Sequence, residues 1–262
     1  MKVLVALAAA CLAACANAPS TRVADVAPTG SLRVAIGVGP SPSAFWAVKD
    51  PSTGEPKGVT VELGKAAAAR LGVPLQLVQY PNSGEITAAA GKGAWDMSFM
   101  PQDPAREKLI DPGPAYVTYV TTYIVRAGST IRNARDVDQP GVRVGGVEGT
   151  ATSRALARTL KQAKLVLFKD AEEAQAQLAQ GKLDALAQGR EALLDFAKKA
   201  RGTRVLDEPI VSTSVIVVVP KDRPATRAWA ARFLEEAKAD GTVRRALDSA
   251  GFKDAAVAPP AK

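Results

Sequence analysis

The sequence predicts an α/β chain of mostly parallel sheets flanked by helices and divided into two lobes. Three observations predict it. From Leu32 onward, strand-length apolar runs alternate with segments of helical spacing. This rhythm occurs twice, before and after a β-branched and aromatic stretch, YVTYVTTYIVR, at 116–126. A second β-branched run, Val215–Val219, leads the chain back toward the first unit. Two β-rich connections between two α/β units suit lobes joined by a hinge.

The first 15 residues, MKVLVALAAACLAAC, hold one lysine and then an apolar run too short to span a bilayer as a helix. They read as a signal peptide. Leu12-Ala13-Ala14-Cys15 resembles a lipobox, which would place the cut before Cys15 and a lipid on its thiol. Ordinary cleavage after Ala16-Asn17-Ala18 is the other reading, although Pro19 would then sit poorly at the cut. A lipid would anchor the chain through buried methylenes and leave the body in water. Residues 16–27, rich in Ala, Pro, Ser and Thr, read as a tether.

Leu32–Val38 is the first strand. Val61–Leu71 has helical spacing and stops at Gly72, with Pro74 beyond. Leu75–Tyr80 is a strand, Ser83–Gly91 a short helix and Trp95–Met100 a strand. Tyr116–Arg126 is a long strand, and Ser129–Val137 is a turn with a short helix. The second rhythm places strands at Gly141–Val147, Leu165–Phe168 and Leu183–Ala187, and helices at Thr150–Lys161, Ala171–Gln180 and Arg190–Lys199. Val215–Val219 is a strand ended by Pro220. Pro224–Ala239 and Thr242–Ser249 are closing helices, with Trp229 and Phe233 on one core face. The first lobe is expected at 28–118 plus 217–254, the second at 120–214, and a loose tail at 255–262.

The chain contains no histidine, which excludes His-based triads, His metal sites and a His general base. Its cysteines, Cys11 and Cys15, both lie in the leader, so no disulfide or catalytic thiol is expected in the mature chain. The net charge of +8 is spread along helices with acids interleaved, and no basic run alternates with aromatics. Nucleic acid is therefore not an expected partner, and no cofactor or metal is implied.

The stretch WDMSFMPQDPAREKLIDPGPAY, 95–116, organises the site. Pro101 and Pro104 take the chain out of the sheet at the carboxyl end of a strand, where open α/β sheets bind ligands. Arg106 stands just past that exit. A guanidinium can grip a carboxylate through two parallel hydrogen bonds, or it can simply be a solvated surface group.

These residues carry a resemblance. Asp96–Met100, Asp103-Pro104-Ala105-Arg106, Ile110-Asp111-Pro112 and Tyr116 resemble the corresponding segments of bacterial solute-binding proteins of family 3, the amino-acid-type receptors of ABC importers. GSLRVAIG (30–37), GVTVELGKAAAARLG (58–72), GVRVGGVEGTATSRAL (141–156), LAQGKLDALAQGRE (178–191) and KADGTVRRALDSAGF (238–252) add to it in order. The resemblance implies the two-lobed, type II periplasmic-binding fold. It also implies a monomer in the periplasm or at the cell surface, touching the membrane only through its lipid. Its partners would be a small anionic or zwitterionic solute and an inner-membrane permease.

In the family the arginine binds the substrate carboxylate, and the turn matching Gly149-Thr150-Ala151-Thr152 binds it from the far lobe. Arg106 and Thr150 would then clamp one anionic group; a plain helix N-cap by Thr150 is the other reading. Gly189 stands where the family places an acid for the substrate ammonium, Gly37 where a second acid often follows the first strand, and Ser83 where an aromatic stacks on the solute. Phe99-Met100-Pro101 replaces a hydroxyl-bearing turn. The carboxylate grip is thus expected to survive without the ammonium grip, which favours an organic anion or a blocked amino acid. Recruitment of Asp103, Glu191 or Glu148 to hold the ammonium is the competing reading. Trp46 (after Phe45), Asn82, Gln188, Arg190 and Tyr116 complete the candidate contacts.

Two other functions are compatible with the scaffold. Cyclohexadienyl and arogenate dehydratases resemble both lobes, but their helix-start motif carries a Glu, whereas Ala151, Thr152 and Ser153 follow Thr150 here. A ligand-sensing module would report its closure through a partner.

Overall fold

The computed structural model describes residues 22–38 and 43–261. The expected signal peptide, lipobox and Cys15, with most of the expected tether, lie outside the described residues.

In chain order the first lobe contains α1 (Val23–Val26), β1 (Leu32–Gly37), a small hairpin of β2 (Val48–Lys49) and β3 (Pro56–Lys57), α2 (Val59–Leu71), β4 (Leu75–Tyr80), α3 (Ser83–Ala89) and β5 (Met97–Pro101). β6 (Ile110–Arg126) crosses to the second lobe. There follow β7 (Arg143–Val147), α4 (Ala151–Thr159), β8 (Lys164–Phe168), α5 (Ala171–Ala179), β9 (Ala185–Gly189), α6 (Arg190–Lys199) and β10 (Thr203–Val205). β11 (Val211–Pro220) crosses back, and α7 (Pro224–Ala239) and α8 (Thr242–Ser249) close the first lobe.

One mixed sheet runs through both lobes in the order β4-β1-β5-β11-β6-β9-β7-β8, with β10 also on β6. The outer strands of each lobe are parallel, and the strands around the crossing are antiparallel. Apolar residues cover both faces, which is why the strands read as continuous apolar runs. In the first lobe Leu32, Val34 and Ile36 join Val215, Val217 and Val219 under α2, α7 and α8. Ala35, Ile216 and Val218 face the other way, onto Ile86 and Trp95. In the second lobe Tyr123, Val125 and Ala187 pack with Leu156 of α4, while Ile124 and Leu186 pack with Leu178 and Leu193 of α5 and α6.

The hinge is the stretch of the sheet where β6 and β11 pair with each other between the strands of the two lobes. Pairing with β5 stops at Val215, and pairing with β9 begins at Thr121. Register shifts lie between Val215 and Ile216 and between Ile216 and Val218. β6 starts at Ile110, earlier than the expected Tyr116. Pro112 and Pro114 are tolerated there because this half pairs only with β11 and lies beside the bulge.

The described parts of the expected tether and of the expected loose tail are tied down. Val26 and Ala27, inside the expected tether, are buried, and Thr226 of α7 donates a hydrogen bond to Asp25 O at 3.0 Å. In the expected loose tail, Val257 bridges to Val117 and the Ala258 amide donates to Tyr116 O at 2.8 Å. Val257 packs against the first-lobe core, and this burial offsets the entropy of ordering the segment.

Candidate functional site

The carboxyl ends of strands from both lobes meet around a cavity of about 150 Å³. From the first lobe come Gly37, ending β1, Pro81, following β4, and Met100-Pro101, ending β5. From the second come Val147, ending β7, and Gln188-Gly189, ending β9. Ligand sites of open α/β sheets form at such strand ends. Trp46, Phe99 and Tyr119 give the cavity an aromatic lining, and Asn82, Ser83 and Thr150–Thr152 border it. None of the described lining residues is charged.

Local chemistry fixes each turn at the rim. Asn82 caps α3, its Oδ1 accepting from the amides of Gly84 at 2.8 Å and Glu85 at 3.1 Å. Thr150 caps α4: its Oγ1 accepts from the Ser153 amide at 3.2 Å and donates to Val147 O at 2.8 Å. The hydroxyl of Thr150 is therefore engaged by the helix itself. The amides of Ala151 and Thr152, which follow it, have no acceptor within the helix.

Arg106 is placed differently from the expected clamp. It ends a short 3-10 turn, Pro104–Arg106, capped by Asp103, and is only 2 % exposed. Its Nη2 donates to Ser83 Oγ at 2.8 Å and to Gly149 O at 3.4 Å. Its Nη1 donates to Ser83 O at 3.2 Å and meets Met100 Sδ at 2.9 Å. The guanidinium thus lies behind Ser83 and Met100, the residues that form the wall. Burial, with some help from neighbouring Arg154, pulls it down to about 10 against the opposing influence of Asp103, so it remains a cation at neutral pH.

A second arginine joins the lobes. Arg154 of α4 reaches Asp103 through Nε and Nη2, both at 2.6 Å, and its Nη1 donates to Gly149 O at 3.1 Å. Asn82 Nδ2 donates across the cleft to Lys169 O at 3.4 Å. Gly84 and Gly149 touch directly: a Cβ on Gly84 would fall 2.8 Å from Gly149 O. The lobes are closed.

Of the candidate contacts, Trp46, Asn82, Ser83, Phe99, Met100, Thr150, Ala151, Gln188 and Gly189 line the cavity. Arg106, Gly149, Tyr116 and Arg190 do not. The Gly149 carbonyl is turned to the two arginines. Tyr116 is fully buried in the first-lobe core, edge-on to Phe99 at 5.7 Å. Arg190 turns outward to the carbonyls of Leu206 and Asp207, both at 3.3 Å. Sequence reasoning missed Tyr119 in the lining and Arg154 at the lobe contact. Tyr119 had a signal: it alternates with Val117 and Thr121 on one face of the hinge strand. Arg154 lies one turn after Thr150, on the same side of α4.

The acids considered for an ammonium are also placed. Asp103 is held by Arg154, and Glu148 lines a separate groove on the outer side of the Gly84–Gly149 contact. Glu191 is off the cavity wall; burial raises its carboxyl, and its Oε2 has no hydrogen-bond partner among the described residues. Among the described residues no cluster of His, Cys, Asp or Glu could hold a metal, and no helix is long and apolar enough to cross a membrane.

A family model for bacterial extracellular solute-binding proteins, family 3, matches residues 34–250. The chain is 22 % identical over 204 residues to the ABC transporter glutamine-binding protein GlnH of Bacillus subtilis (strain 168), covering 75 % of this chain and 73 % of that one. It is 25 % identical over 175 residues to a glutamine-binding protein of Geobacillus stearothermophilus, covering 63 % of this chain and 64 % of that one. Among solved structures, an ancestral amino acid-binding protein described as a precursor of cyclohexadienyl dehydratase superposes with a TM-score of 0.76 at 26 % identity, covering 87 % of this chain and 98 % of that one. A solute receptor for L-cysteine of Neisseria gonorrhoeae superposes at 0.79 with 20 % identity, covering 88 % and 94 %. Its fold and its match over most of its length place this chain among the bacterial extracellular solute-binding proteins, family 3.

Proposed function

We propose that this chain is the solute-binding component of an ABC importer, closing its lobes over a small carboxylate-bearing solute and presenting it to an inner-membrane permease. The observation that carries this reading is the cavity formed where strand ends of both lobes meet. At about 150 Å³ it is smaller than the roughly 300–1,000 Å³ of drug-sized sites, so the solute is small. An amino acid, an amino-acid derivative or an organic anion falls in this class, and the glutamine-binding relatives agree with it. The solute carboxylate is received by the first amides of α4 and by Ser83, with the Arg106 cation one layer behind the wall. Arg106 therefore acts through potential and through its ties to Ser83 and Gly149, and the direct Arg106–Thr150 clamp is set aside.

Export by the leader and lipidation at Cys15 belong to the same proposal. Mass spectrometry of the mature amino terminus tests them: a diacylated Cys15 supports the anchor, and an unmodified terminus at Pro19 contradicts it. The importer reading is tested by a thermal-shift screen of amino acids and carboxylates. A ligand at about one hundred times its dissociation constant adds about 2.7 kcal/mol, or several degrees for a chain of this size. No shift with any of them would overturn the reading.

The dehydratase alternative draws on the likeness to the ancestral precursor. Proton-assisted elimination needs a positioned acid, and none of the described lining residues is one. Binding without turnover is the reading the cavity favours.

A further inference from the structure

The cavity's polar groups are biased toward hydrogen-bond donors. Burial pushes the Tyr119 phenol up to about 12, so it keeps its proton at physiological pH. The phenol stands beside the Trp46 indole, their ring centroids 5.1 Å apart. Tyr119 lines the cavity, and a phenol that keeps its proton can donate it to a solute there. Gly189 makes this placement possible. A Cβ there would lie 1.7 Å from Tyr119 Oη and 2.0 Å from Cζ, so the phenol occupies the space any side chain at 189 would need.

Gln188 adds to the bias. Its Oε1 accepts from Nε2 of Gln175, itself only 4 % exposed, at 3.2 Å. The amide's NH₂ end is left for the cavity, which Gln188 lines. The first amides of α4 supply further donors. Acceptors of matching strength are missing, since the described lining contains no carboxylate. A carboxylate entering this site exchanges water for several N–H and O–H donors. An ammonium would lose its hydration and gain no charged partner.

We infer that Tyr119, seated against Gly189, makes this site selective for small carboxylates that lack a free α-amine over the amino acids of the same shape. This rests on the solute-binding reading above and narrows its substrate class.

The test is calorimetric titration of the full-length protein with matched pairs: 3-methylbutanoate and valine, 4-methylpentanoate and leucine, succinate and aspartate. The amine-free member of at least one pair is expected to bind tenfold or more tightly than its partner. Tyr119→Phe should shrink that ratio toward one without changing the melting temperature by more than a few degrees. Glu191→Gln should leave the ratio unchanged. An amino acid that binds as tightly as its amine-free partner overturns the inference, as does a ratio that Tyr119→Phe does not move. Loss of amino-acid binding in Glu191→Gln would assign the ammonium to Glu191 and overturn it equally. Binding by no compound in any pair would instead overturn the proposed function, and this inference with it.

Discussion

Arg106 shows how far one side chain's role depends on its neighbours. As a residue type after a strand-ending proline it was a candidate carboxylate grip. In the closed structure its donors are directed to Ser83, Met100 Sδ and Gly149 O. Arg106→Ala would remove the guanidinium from Ser83 Oγ and Met100 Sδ, while Gly149 O keeps Arg154 and Ser83 O keeps Thr87; hydrogen bonds to charged groups contribute roughly 1.5–3 kcal/mol. The variant is therefore expected to weaken solute binding and also to melt several degrees lower, as read by calorimetry and thermal denaturation. An unchanged melting temperature would contradict the structural part of this role. Glu191 supplies a pH test. Burial raises its carboxyl above the ordinary value of 4.5, so the folded chain binds this proton more tightly than the unfolded chain. Below that value the group is protonated in both states and costs nothing. As pH rises through the folded value, ionisation is penalised only in the folded state and stability falls. Glu191→Gln should raise the melting temperature at neutral pH and leave it nearly unchanged near pH 4.

The two lobes reuse one device. Arg33, at the start of β1, chelates Asp96, just before β5: Nη2 to Oδ1 at 2.8 Å, Nε to Oδ2 at 3.0 Å and backbone N to Oδ2 at 3.0 Å. Arg143, at the start of β7, holds Asp184, just before β9, through three contacts of 2.9 Å. In each lobe the pair pins the first strand to its neighbour at the end away from the cavity. The Asp96 side chain is fully buried and that of Asp184 is 26 % exposed, so the two differ in weight. Breaking a buried pair costs roughly 3–5 kcal/mol and an exposed one about 1 kcal/mol or less. Asp96→Ala should lower the melting temperature clearly more than Asp184→Ala.

Much of this layer was legible beforehand. The β-branched run of β11 and the Gly72 and Pro74 punctuation after α2 act locally, and so they show in the sequence. α1 and the tail did not, because what orders them is contact with α7 and β6 rather than their own propensity. In the same way Pro101 and Pro104 marked a strand end of the cavity, whereas the direction of Arg106 depends on how the lobes meet.

Closure is held by few contacts: Arg154 to Asp103, Arg106 to Gly149 O, Asn82 to Lys169 O, and the glycine contact. All of them lie at the cleft, while β6 and β11 form the hinge. Opening about that hinge breaks these contacts and leaves both cores intact. Arg154→Ala should shift the unliganded protein toward a more open form, seen as a larger radius of gyration in small-angle scattering, with unchanged secondary structure. The solute is expected to sit in the closed cleft. Calorimetric titration of the wild type and of Gly84→Ala, using the best carboxylate from the thermal-shift screen, tests it most directly. A Cβ at position 84 would lie 2.8 Å from Gly149 O and 2.9 Å from its Cα, holding the lobes apart without touching either core. The predicted result is a loss of at least tenfold in affinity, about 1.4 kcal/mol, at an unchanged melting temperature of the unliganded protein. Equal affinity in the two proteins would contradict the claim.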